Sequence, residues 1–154
     1  MTATAQELLI HRLHQMLWVE ERLSEDILPH CYEHVSATDL KYGIERHQLE
    51  TKQHLLTVRT ILNLLGERQH GSETALLAGL EAELGETDLE IADLLAKGEH
   101  LEIAAYTTLR SLANALGEEE IAIRLTEILE QEEYALELVQ KATAKILAET
   151  VENA

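Results

Sequence analysis

A chain of 154 residues is long enough for one domain with a buried core, and a hydrophobic content of 45% excludes a disordered protein. The 29 acidic and 12 basic side chains give a formal charge of −17, which excludes nucleic acids and anionic membranes as partners because both are polyanions. One cysteine excludes an intrachain disulfide, and no stretch of the sequence resembles a signal peptide or approaches membrane length. We therefore expect a single domain over residues 1–154 in the cytoplasm.

The first predicted helix runs from about Thr4 to His34, in a sequence dominated by the helix formers Leu, Ala and Glu. Pro29 lies inside its apolar pattern and should kink it, because proline has no N–H and its ring crowds the preceding turn. Glu20 interrupts the apolar stripe of this helix. We therefore predict that Glu20 points inward, with its neighbour Glu21 as the competing choice.

The second helix is predicted to begin after a cap at Ser36 or Thr38 and to extend to Leu65, with Gly66 as its stop. A long connection follows, with a short amphipathic segment over residues 73–84. Such a connection carries the chain across the molecule before the third helix begins.

Two histidines and a glutamate lie on the apolar face of the second helix, at His47, Glu50 and His54. Burying these groups without partners would cost free energy, so something must compensate, and a metal ion is one answer. His47 can be a metal ligand or a core histidine bonded to a carboxylate. For His54 we favour an outer or structural role.

The third helix is predicted from about Thr87 to Leu116, and its inward face carries Glu99, Glu102 and Tyr106. Glu99, one turn before Glu102, is favoured as a further ligand. Tyr106 can be core filler with a satisfied hydroxyl, or it can donate a hydrogen bond to a carboxylate.

The fourth helix is predicted from about Glu118 to Thr150, and Glu132 lies on its aliphatic seam. Of the remaining side chains, Cys31 is expected to be a small buried apolar group. Six histidines are expected at the surface: His11, His14, His30, His34, His70 and His100.

The two halves of the chain place their inward glutamates at the same spacing. Glu20 and Glu50 are 30 positions apart, as are Glu102 and Glu132, and a shift of 82 positions maps one pair onto the other. Each of two helical hairpins thus carries one inward carboxylate per helix. Four antiparallel helices with one long crossover and these glutamates describe a carboxylate-bridged two-metal bundle.

The residue types explain that chemistry. Carboxylates can bridge two cations, and imidazole adds a neutral ligand suited to iron, manganese or zinc. Four carboxylates in a dry core repel one another unless cations neutralise them, and two divalent ions balance four glutamates. We predict two divalent ions, with iron favoured, held by six ligands: Glu20, His47, Glu50, Glu99, Glu102 and Glu132.

Two motifs resemble those of a known family. These are HQLETKQH at 47–54, followed by LLG at 64–66, and EHLEIAAYTTLR at 99–110. They resemble the ferritin-like bacterial stress proteins of the YciE/YciF type, long classed as a domain of unknown function, and the resemblance runs from Leu8 to about Leu147. The wider superfamily favours Glu-x-x-His on the second and fourth helices, where this chain has Gln53 and Ala135 instead.

The resemblance implies an all-α, ferritin-like four-helix bundle with a dinuclear metal site, a homodimer and an association with stress. If the protein is an enzyme, the resemblance implies redox chemistry with dioxygen or peroxide, such as ferrous oxidation or peroxide removal. One alternative is a non-enzymatic structural or interaction protein whose site is vestigial or holds a single zinc. The other is a bundle that binds a small molecule in a glutamate-lined pocket.

Overall fold

A computed structural model describes residues 2–152. Every regular element in that range is helical, in accord with the predicted all-α class. The α-helices are α1 (Ala5–Arg22), α2 (Leu28–His34), α3 (Thr38–Leu64), α4 (Ala78–Ala82), α5 (Asp88–Ala115) and α6 (Glu119–Glu152). A π-helical segment (Leu23–Ile27) joins α1 to α2, and a 3-10 turn (Ala75–Leu77) precedes α4.

The first predicted helix is interrupted near the place where the sequence predicts a kink. Pro29 has no N–H to donate, and in the segment before it the N–H of Leu28 donates to the carbonyl of Leu23, five residues back. Thr4 caps α1 through a reciprocal capping box with Glu7. Proline therefore marks the break, and the wider turn lies immediately before it.

The predicted cap of the second helix is wrong. Ala37 occupies the cap position of α3, and no side chain caps it locally. Instead the carboxylate of Asp88 accepts hydrogen bonds from the backbone N–H groups of Ser36, at 2.7 Å, and Ala37, at 3.0 Å. An acidic residue from the start of α5 thus anchors the turn before α3, a contact between residues distant in sequence.

The predicted stop of the second helix at Gly66 is confirmed, and a second glycine ends α5. Gly66 has φ +73° after α3 and Gly117 has φ +72° after α5, a left-handed backbone that side chains with a Cβ adopt only with strain. The N–H of Glu67 donates to the carbonyl of Leu62, and Glu118 does the same to Ala113. These bonds satisfy carbonyls at the helix ends that have no partner within the helix.

The bundle consists of two helical hairpins. The first element (α1, the π segment and α2) packs on α3 across the turn at 35–37, and α5 packs along α6 across the turn at 116–118. Such short turns make each pair antiparallel. The crossover at 65–87 carries the short α4, so the predicted crossover with its extra helix is confirmed.

The crossover is also tied down by a residue predicted to lie at the surface. His14 is 8% exposed, its Nδ1 lies 2.8 Å from the carbonyl oxygen of His70, and the two imidazole rings stack with centroids 4.4 Å apart. The surface prediction for His14 is therefore wrong, because the loop after α3 folds back over α1.

None of the helices over residues 2–152 combines the length and the apolar character that a bilayer crossing requires.

Candidate metal centre

Six buried acidic or imidazole side chains, each less than a tenth exposed, come together in the middle of the bundle. Every long helix contributes at least one, since the inward face of each carries a polar residue where an aliphatic one would otherwise lie. They are Glu20 on α1, His47 and His54 on α3, Glu99 and Glu102 on α5, and Glu132 on α6.

Two groups of these side chains have the spacing of metal ligands. In the first group, Glu20, His54, Glu102 and Glu132 each offer one ligand atom, and these atoms all lie within 4.8 Å of one another. In the second group, His47, Glu99 and Glu132 meet the same condition. Glu132 belongs to both groups, so the two groups are adjacent and share one carboxylate.

Many of the atoms in this centre have no hydrogen-bond partner. His54 Nδ1 lies 2.8 Å from an oxygen of Glu132, and His47 Nδ1 lies 2.9 Å from an oxygen of Glu99. Neither contact has hydrogen-bond geometry, and both oxygens of Glu132 are likewise buried without one. Burying polar atoms without partners costs free energy, and a cation within each group would give these atoms a partner.

Side chains around the two groups hold the donors in place. The Tyr106 hydroxyl donates a 2.8 Å hydrogen bond to Glu20, which supports the second of its two sequence interpretations. His54 Nε2 lies 2.6 Å from the Oε1 of Gln131, a residue that the sequence did not single out. When Nε2 carries the proton and donates it to that oxygen, Nδ1 keeps its lone pair facing the carboxylates.

The structure distinguishes among the glutamates that the sequence offered as ligands. Glu20 is fully buried among the ligands, whereas the side chain of its competitor Glu21 is 24% exposed and lies 3.9 Å from Arg59. Glu50 is buried but belongs to neither group, because Arg46 Nε donates to its carboxylate at 2.9 Å. The structure thus brings together five of the six predicted ligands and adds a histidine, His54, one turn beyond Glu50.

The pKa values of the buried carboxyl groups depart from their ordinary range when no cation is present. Burial and then the nearby Glu132 raise the pKa of Glu20 from about 4.5 to about 7. Burial and Glu132 also raise the pKa values of Glu99 and Glu102 well above the ordinary value. Burial opposes ionisation of Glu132 too, but its contacts with Glu99 and His54 outweigh burial and lower its pKa. The metal-free centre therefore retains protons that bound cations would displace.

The donor set fits divalent transition metals. Carboxylates dominate, each group contains one imidazole, and no cysteine takes part. Iron, manganese and zinc accept this combination of oxygen and nitrogen ligands. The sequence favoured an outer or structural role for His54, and the structure places it in the first group. Its spacing of seven from His47 puts both imidazoles on one face of α3.

A family model described as "Domain of unknown function (DUF892)" matches residues 4–152. The chain belongs to this family. No curated protein sequence matches the chain. The match spans nearly the whole sequence, so it includes both hairpins and the crossover between them.

Solved structures share the fold. YcfI from Rhodopseudomonas palustris is 27% identical, with a TM-score of 0.83 over 90% of this chain and 94% of its own. The stress protein YciF from E. coli is 23% identical, with a TM-score of 0.88 over 96% and 99%. A ferritin-like, diiron-carboxylate protein from Bacillus anthracis is 18% identical, with a TM-score of 0.76 over 92% and 99%. The predicted ferritin-like bundle and the resemblance to the YciF type are therefore confirmed.

Proposed function

We propose that this protein binds two divalent metal ions in the middle of the bundle, with the Glu132 carboxylate between them. The observation that carries the proposal is that Glu132 belongs to both ligand groups while both of its oxygens lack hydrogen bonds. A carboxylate can bridge two cations through its two oxygens. The fold shared with a diiron-carboxylate protein supports the same assignment.

The first ion would be held by Glu20, His54, Glu102 and Glu132, one side chain from each long helix. The second would be held by His47, Glu99 and the shared Glu132. The first group thus offers four protein ligands and the second only three. A metal position with an incomplete protein ligand set is where an external molecule can bind, so reactivity would reside at the second ion.

We assign the metal to iron, with manganese or zinc as the other candidates. Two iron ions, when bound, would supply redox chemistry toward dioxygen or peroxide. The chain's own residues exclude water and orient the ligands: Tyr106 holds Glu20, and Gln131 holds His54. The name of the E. coli relative, a stress protein, supports a role in stress, and a cytoplasmic homodimer stays a prediction.

Metal analysis of variants tests the proposal. Protein loaded with ferrous or manganous ion and then desalted is expected to hold two ions per chain. Glu132→Ala should hold fewer than one, because it removes a ligand from both groups, and Glu99→Ala should keep one. Glu133→Ala removes the exposed neighbour of Glu132 and should keep two.

Glu50→Ala is a sharper variant in the same series, because Glu50 is the one predicted ligand whose carboxylate is engaged elsewhere. It is expected to keep both ions, and loss of an ion would return Glu50 to the ligand set. Wild-type protein that binds no ion after loading would overturn the proposal. Oxygen-dependent absorbance after addition of ferrous iron would then distinguish a redox centre from a passive one.

A further inference from the structure

A cavity of about 690 Å³ lies between α3 and α6 and opens to solvent. Its size is within the range of small-molecule sites, roughly 300–1,000 Å³. A water molecule takes up only about 30 Å³ of the liquid, and dioxygen and hydrogen peroxide are molecules of similar scale. This cavity, which we call the α3–α6 cavity, is therefore much larger than either of those two oxidants needs.

The inner end of the cavity is formed by polar side chains of the candidate metal centre. His47 and Glu99 line it, each is more than nine-tenths buried, and each has a side-chain atom without a hydrogen bond. These are the two side chains that form the three-ligand group together with Glu132. A molecule in the cavity would therefore reach the ion whose protein ligand set is incomplete.

The walls between the opening and the inner end are apolar. Leu40 and Ile44 of α3 lie on one side, and Leu138 and Val139 of α6 lie on the other. Gly43 also lines the cavity, and a Cβ added there would meet nothing within 4 Å, so its missing side chain leaves space open. An occupant with an apolar body would be stabilised here by leaving water.

The charged side chains along the walls already have partners. Each basic side chain that lines the cavity lies 2.9–3.0 Å from a carboxylate oxygen: Arg46 from Glu50, Lys141 from Glu137, and Lys145 from Asp39. These pairs also engage two of the three carboxylates in the lining, and the third, Glu99, lies at the inner end. A charged occupant would lose its hydration along these walls without gaining a free partner of opposite charge, so the cavity favours an uncharged one.

We propose that the α3–α6 cavity is the substrate site of the second metal ion and takes an uncharged organic hydroperoxide, a molecule with an apolar body and a peroxide end. The inference rests on the proposed function, because the peroxide end would lie beside His47 and Glu99, where that ion has an open position. The apolar body would lie along Leu138 and Val139. Reduction of a hydroperoxide breaks its O–O bond, takes up two electrons, one from each ferrous ion, and two protons from solvent, and yields an alcohol and water.

The first test is calorimetric titration of the metal-free, full-length protein with cumyl alcohol, the unreactive alcohol that corresponds to cumene hydroperoxide. We expect one molecule bound per chain. Two analogues with the same skeleton carry an ammonium or a carboxylate group in place of the hydroxyl. Both should bind at least about tenfold more weakly, which corresponds to about 1.4 kcal/mol. Tighter binding of either charged analogue would overturn the proposal.

Variants of the walls locate the bound alcohol. Gly43→Phe fills part of the cavity and should weaken cumyl alcohol binding at least about tenfold. Leu138→Asp places a charge in the apolar wall and should do the same, and it decides the question if Gly43→Phe does not fold. Gly79→Phe is the matched control, because a Cβ at Gly79 also meets nothing within 4 Å but lies on α4, outside the cavity. It should bind as the wild type does, and wild-type affinity in the two cavity variants would overturn the proposal.

The second test compares two peroxides on ferrous-loaded protein. The rate of iron oxidation by cumene hydroperoxide, divided by the rate with hydrogen peroxide, should fall at least about tenfold in Gly43→Phe and Leu138→Asp and stay at the wild-type value in Gly79→Phe. An unchanged ratio in the cavity variants would overturn the proposal. A wild-type dimer that Gly43→Phe converts to a monomer on sedimentation would also overturn it, by assigning the cavity to a second copy of the chain.

The two proposals fail in different ways. Protein that holds two ions but binds no cumyl alcohol would overturn the substrate assignment and leave the metal centre intact. Protein that binds cumyl alcohol but takes up no metal would instead overturn the proposed function on which that assignment rests.

Discussion

Glu132 is fully buried and within contact distance of an imidazole and of other carboxylates, yet neither of its oxygens makes a hydrogen bond. An ionised carboxylate in such surroundings needs a cation, because burial without pairing costs several kcal/mol. Its low pKa and the raised pKa of Glu20 show that the buried glutamates do not all ionise together. Two adjacent cations would remove that conflict.

Gln131 sets which nitrogen of His54 faces the carboxylates, through the 2.6 Å contact at Nε2. Gln131→Leu removes the acceptor, so we expect about tenfold or more weaker binding of the first metal ion, in line with losses of outer ligand partners. Competition with a chromophoric chelator measures that affinity. Nitrogen NMR of the metal-free protein, at a pH where the imidazole is neutral, should also show His54 losing its single tautomer, and unchanged affinity in Gln131→Leu would contradict the assignment.

Spacing alone predicted that Glu20, Glu102 and Glu132 would face the interior, and the structure brings these three carboxylates together. Spacing could not predict that Glu50 would lie apart from them while His54 joins them. Both lie on the inward face of α3, and the contact that diverts Glu50 is its pairing with Arg46, one turn earlier on the same helix. Spacing identifies a face, but it does not decide between a partner on the same helix, such as Arg46, and partners on the helices packed against it.

The elements are joined by contacts that local sequence does not encode. Asp88 is the first residue of α5, yet its carboxylate accepts two backbone N–H groups from the turn before α3. Caps of helices could be predicted where the capping residue is local, as at Thr4 or Thr87. The contact that anchors the turn before α3 could not, because its acceptor comes from the other hairpin.

Asp88→Ala removes those two hydrogen bonds and should destabilise the protein by about 1–2 kcal/mol. Thermal unfolding followed by circular dichroism measures the loss. Asp93→Ala is the control on the same helix, since it removes only an exposed ion pair with Lys97 and should change stability by less than about 1 kcal/mol. Equal stability of the two variants would show that Asp88 does not anchor the turn.

The fold class and topology of the molecule depend on the number and length of its helices and on two short turns, and these could be predicted from the sequence. Glycine stops, the break at Pro29 and the apolar faces are properties of short stretches of sequence. The cavity between α3 and α6, lined by Leu40 and Val139 among others, could not be predicted in this way. It depends on how far two helices stand apart, and that distance is set by packing across the bundle.

The buried carboxyl groups make the stability of the metal-free protein depend on pH. The pKa of Glu20 is about 7 in the folded state and about 4.5 in the unfolded chain, so the folded protein keeps this proton to a higher pH. The folded state therefore binds more protons in this window, and stability falls as pH rises from about 5 through 7. The pKa of His54 is raised as well, because the contacts with Glu132 and Glu20 outweigh burial, and its contribution has the same sign.

Melting temperatures of the metal-free protein between about pH 5 and 8 measure this dependence, and added metal ions should restore stability at the upper end. Glu20→Gln is the control, because its side chain does not titrate, so its stability should fall less between about pH 5 and 8 than that of the wild type. A metal-free stability that rises over the same range would contradict the raised pKa values.

The central claim is that one carboxylate is shared between two cations. Anomalous diffraction from crystals loaded with manganese or iron tests it most directly. We expect two peaks about 3.5–4 Å apart with Glu132 between them, the first also contacting His54 and the second His47. A single peak, or two peaks that do not both contact Glu132, would contradict the claim.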